Sequence, residues 1–146
     1  MLRQLALVSD VRGISMSDLT SVAAALQKQV QRDFAPIWDV EATVAVFTSL
    51  DDVPVGTWPV LIVESLPDPS VGGFHTTRNG QPFAIVRFDS SWPMTASHET
   101  LEMLADPSGN RLTPGNSPQS GQGSVEFVVE VCDPCEAPDF GYEVAH

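Results

Sequence analysis

Apolar residues along this chain follow two rhythms. Between residues 18 and 34 they recur every three or four positions, at Leu19, Val22, Leu26, Val30 and Phe34, which predicts a helix with one buried stripe. Ser17 is placed to cap it, Asp18 and Arg32 complement the dipole at its two ends, and Pro36 is expected to stop it. Elsewhere, short runs rich in Val, Ile and Phe and bounded by Pro, Gly or Asp predict strands at 3–9, 42–48, 59–64 and 82–88. Asn79-Gly80 is a hairpin-turn signal, so residues 73–77 are expected to pair antiparallel with 82–88.

A second helix is expected over HETLEML, residues 98–104. Residues 106–123 follow with four glycines and three prolines and read as one long loop. Residues 124–133 (SVEFVVEVCD) are ordered again, as helix or strand. This succession predicts an α+β fold with a mostly antiparallel or mixed sheet and two or three helices.

Composition narrows the partners. At 146 residues, with 42% hydrophobic and 18% charged side chains, the chain is expected to form one globular domain over 1–146. No run approaches the ~18 apolar residues of a membrane span, and the opening MLRQLALVSD is too soon polar for a secretory signal. The expectation is a soluble, cytoplasmic protein with no membrane partner. Nineteen acidic residues against seven basic ones leave a net charge of -12, which repels phosphate backbones and argues against nucleic acid. The two cysteines, in Cys132-Asp133-Pro134-Cys135, lack the second pair of a zinc ribbon. They read as reduced thiols, with help to a nearby metal site as the alternative.

The candidate chemistry lies in Ser97-His98-Glu99-Thr100-Leu101-Glu102-Met103-Leu104-Ala105-Asp106. This is H-E-x-x-H with glutamate in place of the second histidine. On a helix, Glu102 falls about 40°, Asp106 about 80° and Glu99 about 100° from His98, while Leu101, Leu104 and Ala105 share the opposite arc. His98 and Glu102, one turn apart, can reach a single ion, and Glu99 stands beside them where it could take a proton from bound water. Asp106 lies about 12 Å along the axis from His98, too far to share that ion. With Pro107 after it, Asp106 reads as a turn residue or a support to the ligands.

A third protein ligand must come from outside the helix: Glu126, Glu130, Cys132, Asp133 or His75. Glu130 has the best case, because an unpaired carboxylate inside the apolar run VEFVVEVCD would be costly. Asp133 could hydrogen-bond the outer nitrogen of His98 if its segment is helical. His75 could stabilise an oxyanion, bind metal, or simply flank a turn.

Val30–Trp38, Gly80–Val86, Ser97–Arg111 and Val129–Glu136 together resemble a family of bacterial zincin-like metallopeptidase domains built on an H-E-x-x-E helix. The DP-x-GNR and E-V-C-D-P blocks are the most specific parts of the resemblance. It implies a zincin-like fold: a twisted sheet whose edge strand borders the cleft, a backing helix, and an active-site helix. It also implies His98 and Glu102 as zinc ligands, Glu99 as general base, Glu130 as third ligand, and a further strand beyond Tyr142-Glu143-Val144. The expected function is hydrolysis of a peptide or amide by metal-activated water, with zinc or another divalent ion as cofactor and a peptide or protein as substrate. The alternatives are a catalytically silent zincin-like module for binding or assembly, and a calcium- or magnesium-stabilised acidic domain, which His98 suits poorly.

Overall fold

The computed structural model describes residues 2–144. Strand β1 (Leu2–Ser9) leads into helix α1 (Met16–Gln29), whose first turn is tied by Ser15 rather than Ser17. The Ser15 hydroxyl accepts from Asp18 N at 3.1 Å, and the Asp18 carboxylate accepts from Ser15 N at 3.2 Å. This reciprocal box needs a three-residue spacing, which Ser15 has and Ser17, adjacent to Asp18, lacks.

Pro36 does not stop the helix. The chain widens into a π-helical turn (Val30–Phe34) and continues as α2 (Ala35–Trp38). Proline brings no N–H and crowds the carbonyl four residues back, and the wider turn accommodates both losses. Phe34 and Trp38 stack at 5.8 Å between ring centroids, and Asp39, with φ of 53°, ends the run.

Strands β2 (Glu41–Phe47), β3 (Trp58–Val63), β4 (Gly73–Arg78) and β5 (Gln81–Arg87) complete a five-stranded mixed sheet in the order β2-β1-β3-β5-β4. The β1–β2, β1–β3 and β3–β5 pairs are parallel, and only β4–β5 is antiparallel. The fold is α+β with a mixed sheet, but its main sheet is not mostly antiparallel. The reason lies in β1: Leu5–Val8 are all buried, as in a strand covered on both faces, and α1 serves as the crossover that a parallel β1–β2 pair requires. The β4–β5 hairpin turns at Asn79 and Gly80, with φ of 55° and 77°, the left-handed pair of a type I′ turn.

Helix α3 (Trp92–Ala105) begins six residues before His98. It packs on β3, β4 and β5, while α1 packs on β1 and β2. The two helices meet where Ser97 Oγ donates to Gln29 Oε1 at 2.7 Å. Leu5, Leu7, Val60, Ile62, Ala84 and Val86 join Leu19, Ala23, Ala96 and Met103 in the core.

The stretch 106–123 is not a simple loop. It contains β6 (Leu112–Asn116), which pairs antiparallel with β7 (Ser124–Val128) in a separate two-stranded ribbon. Pro114 and Gly115 hid this strand in the sequence. Proline is tolerated on an edge strand, and a Cβ on Gly115 would stand 2.9 Å from the Phe127 ring, so glycine lets that ring lie close across the pair. Among the described residues, no helix is long and apolar enough to cross a membrane. His146, to which the sequence assigns no role, lies outside the described residues.

Candidate metal centre

Helix α3 places Glu99 and Glu102 on its buried side, 5% and 4% exposed. Two carboxylates so deeply placed need partners, and three elements converge on them. The first is β4, the free edge strand of the sheet. His75 pairs in register with the buried Ala84, so strand alternation turns its side chain toward α3. The second is the turn after α3, and the third is the segment that follows β7.

His75 is held at both ring nitrogens. Its Nε2 lies 3.1 Å from the carbonyl oxygen of Asp106, which makes Nε2 the N–H donor, since a carbonyl only accepts. Nδ1 is then left facing Glu99 Oε2 at 3.5 Å and Glu102 Oε2 at 3.8 Å. This is the arrangement of a metal-binding imidazole whose far nitrogen is fixed by a backbone carbonyl. The same Asp106 carbonyl accepts from Gly109 N, and the Asp106 carboxylate accepts from Arg111 N. The DP-x-GNR block thus folds around Asp106 and presents its carbonyl to His75. Asp106 contributes through its backbone, not as a ligand.

The segment after β7 is neither helix nor strand. Val129 and Val131 pack against the core, and Glu130 turns between them toward Glu102 and His75. Among the described residues, Glu130 Oε2 is buried with no hydrogen-bond partner. Cys132 N–H then donates to Glu102 Oε1 at 3.1 Å, and the Cys132 thiol lies 3.7 Å from the His98 carbonyl. Asp133 approaches His98 at Nε2, 3.3 Å away, the nitrogen that also faces Glu102 Oε2 at 3.2 Å. It does not support the outer ring nitrogen, because the chain enters a 3-10 turn at Asp133 and delivers its carboxylate to the inner side.

Among the described residues, two groups of side chains could hold a metal ion: His98, Glu102 and Cys132, and His75, Glu102 and Glu130. Within each group the ligand atoms lie within 4.8 Å of one another. The expected trio of His98, Glu102 and Glu130 is therefore divided, with Glu102 in both groups. Glu126 is exposed on β7 opposite Pro114 and belongs to neither. Both cysteines are free thiols, and only Cys132 reaches the centre.

Without a cation these carboxylates draw protons onto the imidazoles. Glu102 pushes His98 up to about 9 against the opposing effect of burial. Glu99, chiefly, raises His75. Burial raises Glu130, helped by the charge of Glu102. Burial also works to raise Glu102, but His98 and the Cys132 N–H outweigh it and leave its pKa below the ordinary value. Burial, then Glu102, pushes the Cys132 thiol up to about 12. A divalent ion held here would take the place of the recruited protons and keep a coordinating thiol deprotonated.

Gly73 escaped the reading of the sequence. A Cβ there would stand 2.9 Å from Glu99 Cγ and 3.0 Å from both Glu99 Oε1 and the Ile85 carbonyl. The Gly72-Gly73 pair just ahead of the His75 strand was the available signal, since glycine inside a strand often marks a close approach. Gly73→Ala is expected to cost about 1–3 kcal/mol by overpacking, measured by denaturant unfolding.

The centre opens into a cleft of about 450 Å³ lined by Gly73, His75, His98, Glu99, Glu102 and Glu130, among others. A second cavity of about 540 Å³, with Val22, Leu26, Met94, Leu101 and Phe140 in its walls, shares His98 with the first. No protein-family model matches the chain, and neither the curated proteins nor the solved structures give a match to it.

Proposed function

We propose that this chain is a zinc-class metal-dependent hydrolase of peptide or amide bonds, built on a zincin-like arrangement. The observation that carries the reading is the buried Glu130 Oε2, without a hydrogen-bond partner among the described residues, on a side chain grouped with those of Glu102 and His75. A carboxylate oxygen denied both water and hydrogen bonds is destabilised unless a proton or a cation answers it, and burial here already raises the Glu130 pKa. The donor set of imidazole, carboxylate and thiol suits zinc better than calcium or magnesium.

Glu102 would hold an ion together with either His75 and Glu130 or His98 and Cys132. When bound, such an ion supplies Lewis acidity and lowers the pKa of water to near 7. Glu99 has the place of the base. It lines the cleft, is buried, and is pressed against Gly73 on the edge strand, so its carboxylate meets whatever lies along β4. It takes the proton of the attacking water and returns it to the leaving amine. Among the described residues no strand lies beside the outer edge of β4, so an extended peptide can pair with its backbone next to Glu99. The apolar cavity beside His98 then receives a neighbouring side chain of the substrate.

Metal analysis of the full chain purified without chelator tests the reading. Bound zinc is expected, with loss on Glu102→Ala. A metal-free protein whose unfolding temperature ignores added zinc overturns it.

A further inference from the structure

Glu102 stands between two separate sets of donors, and that separation needs an explanation. Among the described residues, no group of mutually close ligand atoms contains both histidines. A neutral imidazole has one lone pair to give. The lone pair of His75 is confined to Nδ1, because Nε2 is occupied at the Asp106 carbonyl, and it faces Glu99, Glu102 and the Glu130 side. His98 aims Nε2 at Glu102 and Asp133, with Cys132 close by.

The spacings within each set are those of ligands around an ion. Four ligands at zinc–ligand bond lengths of ~2.0–2.3 Å in a tetrahedron lie roughly 3.3–3.8 Å from one another. His98 Nε2 stands 3.2 Å from Glu102 Oε2 and 3.3 Å from Asp133 Oδ1. His75 Nδ1 stands 3.8 Å from Glu102 Oε2. Both sets contain the same atom, Glu102 Oε2, whose sister oxygen is held off by the Cys132 N–H.

Charge favours a second ion as well. Five carboxylates, those of Glu99, Glu102, Glu130, Asp133 and Glu136, line one cleft. A single dication leaves most of that negative charge uncompensated, and Glu99 and Glu102 are buried where unpaired charge is costly.

We propose that the centre takes two divalent ions bridged by Glu102, one on His75, Glu102 and Glu130, the other on His98, Glu102 and Cys132 with Asp133 at its open side. This rests on the reading of the cleft as a metal centre. Two-ion sites with ions ~3.5–4 Å apart are an established way to clamp both oxygens of a hydrolytic reaction. The two positions differ in chemistry. The thiol makes the His98 position the softer one, selective for zinc-like ions, and the carboxylate-rich His75 position accepts harder ions such as manganese as well.

The test is a titration of the chelator-stripped full chain with zinc, followed by calorimetry and by metal analysis after gel filtration. Two equivalents per chain are expected. Cys132→Ser should remove one of them and Glu130→Gln the other, each variant keeping a wild-type circular dichroism spectrum. Cobalt(II) provides a second readout: thiolate-to-cobalt absorption should accompany one equivalent of the two and vanish in Cys132→Ser, but persist in Glu130→Gln. Saturation of the wild-type chain at one equivalent overturns the two-ion proposal and leaves the metal-centre reading standing. Loss of a single common ion in both variants does the same. Failure to bind any zinc overturns both.

Discussion

Replacing Glu99 by glutamine is expected to lower peptide hydrolysis by about 10²- to 10⁴-fold while the metal content stays at the wild-type level. Glutamine keeps the shape that fits against Gly73 and loses only the ability to carry a proton. Glu99 belongs to neither of the two ligand groups, so its loss should leave the ions in place. The measurement is turnover of a mixed peptide library, with metal analysis on the same preparation. A variant that keeps its metal and its full rate would remove Glu99 from the chemistry and favour a silent binding module. A variant that loses metal and rate together would make Glu99 a ligand instead, as its 3.5 Å approach to His75 Nδ1 also permits.

The second large effect is a pH-dependent response to zinc. In the metal-free protein the folded-state pKa of His98 is raised from 6.5 to about 9, first by the Glu102 hydrogen bond. A raised value means that the folded state holds this proton more tightly than the unfolded chain does. The stabilisation is therefore complete below the unfolded value of 6.5 and fades as pH rises through about 9. His75, raised chiefly by Glu99, acts in the same direction. Zinc binding runs the other way, because its ligands must be deprotonated and protons compete with the ion.

The zinc-induced rise in Tm should consequently be small near pH 6 and grow steeply toward pH 9 or so. At free zinc about 100 times Kd the stabilisation is about 2.7 kcal/mol, or on the order of 5–10 °C for a chain of this size. Differential scanning calorimetry with and without zinc across that range measures it. A shift independent of pH would mean that the ion binds away from the histidines.

The parts of the fold that sequence could show are those governed by neighbours a few residues apart. The stripe from Leu19 to Phe34 announced α1, and Asn79-Gly80 announced the β4–β5 hairpin. The capping serine was mistaken by two positions because Ser17 also precedes the apolar stripe, and only the backbone geometry distinguishes it from Ser15. The parallel strand pairs of the mixed sheet were not singled out, although both their marks were present: the apolar run Leu5–Val8 in β1, and a helix between two strands. Strand β6 was unreadable because Leu-Thr-Pro-Gly-Asn carries turn composition, and what orders it is its pairing with β7.

The sequence by itself determined the His98–Glu102 pair with Glu99 beside it, because helical spacing follows from local backbone geometry. It also singled out Glu130, through the cost of a carboxylate in an apolar run. Only the tertiary structure decided which residues those carboxylates meet. His75 and Asp106, 31 positions apart, touch because hairpin pairing turns one ring onto the end of α3. Cys132 reaches back 30 positions to Glu102 because Val129 and Val131 anchor its segment to the core. Such meetings depend on how separate elements pack, and no local period encodes them. The glutamate that replaces the second histidine is thus the one residue shared by both donor groups, a position that only the assembled fold reveals.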